Sequence, residues 1–380
     1  MVVTRLRLRD FRTYDAAEVA LGEGLTVVHG PNGAGKTNLL EGLYFGCTGR
    51  SCRTTNEREV VRFDAGPAAA VRVTVHGRDA DGEHELSVGF QPGEPKRLRA
   101  DGAPVERLLD VACRPLVSVF LPDRLELVKG PPGLRRSHLD QLVVALWPAR
   151  AATRRAYAQA LAQRNALLAR VRAGVGTRTA LAAWDHELAG HGLALRDDRA
   201  RAVDLLTAPF AAAAHELGLR GAAELRYRPR TQASGPEAFA AELAERVDGD
   251  LERGFTGHGP HRDDLALLRD GRELRAYGSQ GEQRLALLAL LLAERETLAV
   301  ERGAPPLLLL DDVMSELDAD RRERLVARLS GAGQSVVTTT DLGHVPGAQA
   351  PAVHRLRVRD GAVEDQGEGA PAWPSAQEAA

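Results

Sequence analysis

Residues Gly30 to Thr37 read GPNGAGKT, directly behind the apolar run Leu25, Val27 and Val28 and ahead of a helical pattern at Leu39, Leu40 and Leu43. Few folds accept this order. A strand, a glycine-rich loop and a helix make successive backbone N–H groups and the helix N-terminus converge on one anionic centre. Lys36 adds a point charge to that centre and Thr37 an oxygen ligand for Mg²⁺. Lysine stands only at positions 36, 96 and 129, and glycine is 38 of 380 residues. At such frequencies roughly 0.002 chance matches to G-x-x-x-x-G-K-[ST] are expected per chain. Gly30, Pro31, Asn32, Gly33, Ala34, Gly35, Lys36 and Thr37 are therefore read as the ATP-binding loop of an α/β protein.

The bulk numbers exclude several classes. A composition of 44% hydrophobic and 27% charged residues is that of a globular chain rather than a disordered one. No apolar run approaches a membrane span and the first residues, MVVTRLRLRD, lack a secretion signal, so a cytoplasmic protein is expected. Cys47, Cys52 and Cys113 have neither an even count nor C-x-x-C spacing, which argues against a disulfide framework or structural zinc. With 50 basic against 52 acidic residues, any DNA contact must come from local patches.

Alternating segments at Val3 to Leu8, Val19 to Leu21, Val71 to Gly77 and His84 to Phe90 predict a mixed sheet that delivers the loop, and Pro115 to Pro122 another strand. From Ser137 the texture becomes long Ala/Leu/Arg helices interrupted at Pro148 and at Gly174 to Thr177, with further helix at Glu237 to Arg253. Strand patterning returns near Leu265 and continues to Val358. The expected organisation is a nucleotide-binding head from 1–130 and 255–360, a helical arm over 131–254, and a disordered tail at 361–380.

The apolar strand PLLLLDD ends in Asp311, placed to hold Mg²⁺, and Asp312, placed to polarise an attacking water. Lys36 and Asp312 are the catalytic candidates. Upstream, YGSQGEQR opens a strongly apolar helix, with Ser279 either capping it through the S-x-x-E box with Glu282 or forming part of an anion site. His258 and His261, in GPHRDD, lack a third convergent ligand and read as structure or DNA contact rather than metal. Arg50, Arg53, Arg58 and Arg62, with Arg135 and Arg136, are candidate phosphate contacts for DNA.

SQGEQ resembles the LSGGQ signature of ABC-type ATPases. The segments LRDFRTY, GPNGAGKTNLLEGLYF, GRSCRT, LPDRLELVKGPPGLRRSHLD, GHGPHRDDL, YGSQGEQR and LLLLDDVMSELD, in this order, are similar to the RecF family of bacterial recombination mediators. The resemblance implies an ABC/SMC-type ATPase head, a mixed sheet flanked by helices, with an inserted helical arm lobe. It implies ATP and Mg²⁺ as ligands and an ATP-dependent homodimer. Its interface would be formed by Ser279, Gln280, Gly281, Glu282 and Gln283 and by Ser315, Glu316 and Asp318. It also implies binding to gapped or single-strand/double-strand junction DNA, slow DNA-stimulated hydrolysis, and action with RecR and RecO to load RecA in repair, replication and SOS induction. The strand end Thr338 to Asp341 lacks the switch histidine of that superfamily. A DNA clamp gated by ATP with negligible turnover, and a transporter-type ATPase subunit, are the alternatives.

Overall fold

The alternating N-terminal segments pair as an antiparallel sheet because one face of each can be buried and the other cannot. In the computed structural model, which describes residues 1–66, 69–121 and 125–366, the strands lie in the order Tyr14–Ala20, Val2–Phe11, Val71–Asp79, Gly82–Phe90, Arg97–Ala100, Ala103–Pro104. Leu8, Val73, Val88 and Leu98 align across four strands on the inner face. The helix Lys36–Thr48 lies on that face so closely that a Cβ at Gly46 would sit 2.4 Å from Val75 Cγ2.

A second sheet, largely parallel, runs Ala362–Asp365, His354–Arg359, Leu25–His29, Ser335–Thr339, Leu307–Leu310, Val117–Phe120. Only the pairing of the first two strands is antiparallel. The all-apolar Leu307–Leu310 is buried throughout, as a central parallel strand must be. Both sheets belong to one compact unit, Met1–Asp123 with Ala304–Ala380. Part of the expected tail is ordered: Ala362–Asp365 pairs with His354–Arg359. The stretch 367–380, and Pro122 at the end of the expected strand, lie outside the described residues.

The second unit, Arg124–Gly303, is mainly helical. Pro132–Leu146 ends at Trp147, the chain turns at Pro148, and Ala151–Arg172 follows. Proline at 148 removes a ladder donor and clashes with the preceding turn, hence the break. Leu181–Glu216, Pro236–Glu245, Val247–Arg253 and Gln280–Arg302 complete the main helices. Residues 255–303 pack within this unit. An unforeseen strand, Ala223–Arg228, pairs antiparallel with Asp264–Arg269. Tyr157, Leu188, Leu193, Phe239 and Leu243 centre one of its apolar clusters. Among the described residues no helix is long and apolar enough to cross a membrane.

Candidate nucleotide site

Leu25–His29 carries the chain to Gly30 at the carboxyl edge of the parallel sheet, where ligands of such sheets bind. A Cβ at Gly30 would stand 2.1 Å from the carbonyl oxygen of Val358, so only glycine lets the loop pass its neighbour strand. The Tyr14 hydroxyl donates to the Gly35 carbonyl at 2.9 Å and anchors the loop where the helix begins. Lys36 Nζ donates to the carbonyls of Gly30 (2.8 Å) and Pro31 (2.9 Å), so its ammonium is folded over the loop. Burial lowers its pKa, an effect opposed by the charges of Asp312 and Asp311.

Thr37 Oγ1 donates to Asp311 at 3.0 and 2.9 Å, and Thr338 Oγ1 donates to Asp311 Oδ1 at 2.7 Å. The Asp311 pKa is raised by burial against these hydrogen bonds. A carboxylate touching a hydroxyl in a buried corner is the oxygen donor set that Mg²⁺ takes, and these residues fit the ion. The next residue, Asp312, has φ 47°, a left-handed conformation that Asp tolerates, and its N–H donates to Thr338 Oγ1 at 2.9 Å. Its Oδ1 is buried with no hydrogen-bond partner among the described residues. An acceptor left open in that way is suited to a proton on a bound water.

Thr338 is the residue that sequence reasoning missed: one hydroxyl serves both aspartates. Its signal was a threonine run at a strand end. His344, in the short turn after Asp341, has its Nδ1 buried with no hydrogen-bond partner among the described residues. Ser315 Oγ donates to the Asp312 carbonyl at 2.8 Å, and Asp318 caps Ala319–Leu329 by accepting from the Arg321 N–H at 2.9 Å. Ser315, Glu316 and Asp318 are exposed.

In the other unit Ser279 caps Gln280–Arg302 through a complete capping box: Ser279 N donates to Glu282 Oε2 at 2.8 Å and Glu282 N to Ser279 Oγ at 3.3 Å. Glu282 also pairs with Arg269. Gln283 is buried and donates to the carbonyls of Leu274 and Gly278, whereas Ser279, Gln280 and Gly281 are exposed. The two histidines face separate partners. His258 Nε2 meets Glu242 at 2.6 Å, while His261 bonds Tyr157 Oη (2.7 Å) and the Thr256 carbonyl (2.8 Å).

The arginines divide. Arg135 is 2% exposed and spends its fork on Asp264 (2.7 and 3.0 Å), which leaves no surface charge for a polyanion. Arg136 donates to the Asp263 carbonyl, Arg53 pairs with the buried Glu41, and Arg62 with Asp10, Asp15 and Asp64. Arg50 and Arg58 are exposed and lie outside the ion pairs described.

A family profile described as RecF/RecN/SMC N terminal domain matches residues 2–358. A DNA replication and repair protein RecF of Symbiobacterium thermophilum is 37% identical over 97% of this chain and 100% of its own length. One from Anaeromyxobacter sp. is 39% identical over 96% and 99%. The chain belongs to the RecF family. A solved structure of the recombination mediator protein RecF with ATP, in the RecFOR pathway, superposes with a TM-score of 0.85 at 28% identity over 96% of this chain and 97% of that one. An SMC head bound to the C-winged helix domain of ScpA, at TM-score 0.58 and 16% identity, shares the fold.

Proposed function

We propose that this RecF-family chain is an ATP-dependent, DNA-binding recombination mediator acting in DNA repair, replication and SOS induction. The observation that carries the reading is the buried contact of Thr37, Asp311 and Thr338 beside the open Oδ1 of Asp312. Loop amides and Lys36 bind the phosphates of ATP. Thr37 and Asp311 hold Mg²⁺, which when bound neutralises charge developing on the phosphates. Asp312 accepts the proton of the attacking water. Thr338 keeps the two aspartates in register, since its hydroxyl donates to the Asp311 carboxylate and accepts from the Asp312 backbone N–H.

The functional head comprises 1–130 and 255–360, with 131–254 as the arm. On ATP binding two chains associate, the Ser279–Gln283 turn of one completing the phosphate site of the other, with Ser315, Glu316 and Asp318 at the same interface. Hydrolysis is slow, stimulated by DNA, and resets the dimer. The DNA is gapped or carries a single-strand/double-strand junction, and RecR and RecO proteins are the partners in placing RecA. The chain works in the cytoplasm. Beside Arg50 and Arg58, the outer face of the antiparallel sheet supports DNA binding. Arg9, Arg72, Gly89 and Arg97 share one register line, and Arg7, Thr74, Ser87 and Arg99 the adjacent one. Arg9, Arg72, Phe90 and Arg97 border a groove of about 240 Å³. Such a row suits a phosphate backbone rather than base edges.

The test is ATP hydrolysis and sedimentation with and without gapped DNA. A dimer that appears with ATP and a turnover that rises with DNA are expected. ATP-independent association would remove the mediator mechanism, and binding without turnover would favour the clamp. In the same assay, Arg9→Ala with Arg72→Ala should weaken DNA binding and lower the salt slope by about 1 per lost contact.

A further inference from the structure

The antiparallel sheet carries a second cluster of ligand-bearing side chains. His84, on Gly82–Phe90, stands with Nδ1 2.9 Å from Asp101 Oδ2 and Nε2 3.1 Å from Asp79 Oδ1. Cys113 lies beside them: one ligand atom each from His84, Asp101 and Cys113 falls within 4.8 Å of the others. We propose that His84, Asp101 and Cys113 bind one divalent cation of the zinc class, with Asp79 as the positioning residue behind the imidazole.

The donor set decides the ion. An imidazole with a thiolate selects zinc-like metals over Mg²⁺, and a third, carboxylate ligand leaves a fourth position for water. Tetrahedral bonds of about 2.0–2.3 Å put ligand atoms roughly 3.3–3.8 Å apart. The widest pair therefore needs to close by at most roughly 1–1.5 Å. Two groups are already oriented. Asp101 Oδ1 accepts the Glu85 N–H at 2.8 Å, which leaves Oδ2 for the metal. Asp79 accepts the Asp81 N–H at 3.0 Å and stands at His84 Nε2, in the carboxylate–histidine–metal order that fixes the tautomer of a ligating imidazole.

Binding displaces the proton between His84 Nδ1 and Asp101 and the thiol proton of Cys113, so two protons leave as one cation enters. The bound ion ties the hairpin Val71–Asp79/Gly82–Phe90, the turn at Asp101 and the chain that runs on to Val117–Phe120. It would thus pin the connection from the antiparallel sheet to the edge of the parallel one. Without a cation, the same groups hold the His84 ring between the carboxylates of Asp79 and Asp101.

Cobalt(II) added to the reduced full-length protein in excess Mg²⁺ distinguishes the two. A thiolate-to-cobalt charge-transfer band saturating at one equivalent and displaced by zinc is expected. It should vanish in Cys113→Ser and persist in Cys52→Ser. Asp79→Asn should weaken binding by about 10- to 100-fold. Absence of the band, or its survival in Cys113→Ser, overturns the site. If Cys113→Ser fails to fold, His84→Gln carries the same test: an undiminished affinity there also overturns it.

Discussion

The core of the helical unit and the nucleotide site bury charge in opposite ways. In the helical unit Arg164 is fully buried and donates to Asp185 (2.6 Å), Asp250 (2.7 Å) and Thr256 (2.8 Å). Arg199 does the same with Asp140 and the Pro260 carbonyl, both at 2.7 Å, and with Asp263 at 3.3 Å. At the nucleotide site Asp311 receives hydroxyls, Lys36 rests on carbonyls, and Asp312 Oδ1 has no hydrogen-bond partner among the described residues, whereas the buried Glu41 of the same unit is matched by Arg12 and Arg53. A buried charge matched by a counter-charge is structure, because its desolvation is offset within the chain. One matched only by neutral groups is offset by the ligand. The comparison separates scaffold from site without reference to any motif.

The strongest way to break it is to neutralise the unmatched side. Asp312→Asn should keep ATP binding and lower kcat by about 10²–10⁴-fold, since Mg²⁺ stays with Asp311 and only the proton acceptor goes. Loss of ATP binding in an equilibrium titration would mean the two aspartates are interchanged. Lys36→Met should lose hydrolysis by at least about 100-fold with little change in urea stability. The opposite pattern is expected in the helical unit. Arg164→Met strands Asp185, leaves Asp250 only Arg253 as a counter-charge, and should cost about 3–5 kcal/mol in urea unfolding. A cost under about 1 kcal/mol would show that the pair is not scaffold.

The same contrast sets what could be read from the sequence. The loop and the Asp311–Asp312 pair were legible because their chemistry lies within a few residues of chain. Thr338 was not, since its role depends on Ser335–Thr339 lying between the loop strand and Leu307–Leu310, a matter of strand order. Arg135 read as a surface charge run, yet its environment is made by Asp264, 129 residues away. Ala223–Arg228 escaped because AELRYR alternates weakly and its partner strand follows only after two α-helices. Tail residues 362–365 looked acidic and unstructured, but an edge strand needs only one neighbour.

A smaller effect tests whether the helical unit tolerates an unmatched charge. Burial pushes the His261 imidazole down to about 4, with the ring held neutral between Tyr157 and the Thr256 carbonyl. Unfolded, the same group titrates near 6.5. The unfolded chain therefore binds a proton first, and stability is fully present above about pH 6.5 and lost as pH falls toward 4. A shift of this size corresponds to at most about 3 kcal/mol. Urea unfolding at pH 7 and pH 4.5 should show a smaller pH difference in His261→Gln than in the parent chain. Equal differences would place the acid sensitivity elsewhere.

A smaller change in stability than at Arg164 or His261 is expected at Ser279, where both readings of one residue meet. As a cap it satisfies the Glu282 N–H, and Ser279→Ala should cost about 0.5–2 kcal/mol. A cap alone predicts nothing about association. Ser279 is exposed while its capping partner Glu282 is half-buried against Arg269, so a bulky side chain at 279 can extend into solvent with the helix retained. Ser279→Arg should then leave ATP affinity of the monomer unchanged but abolish ATP-induced dimerisation and DNA-stimulated turnover, since the guanidinium occupies the shared interface. Sedimentation with Mg-ATP decides between them. A variant that still dimerises at parental concentrations leaves Ser279 as a cap and refutes the shared-site mechanism.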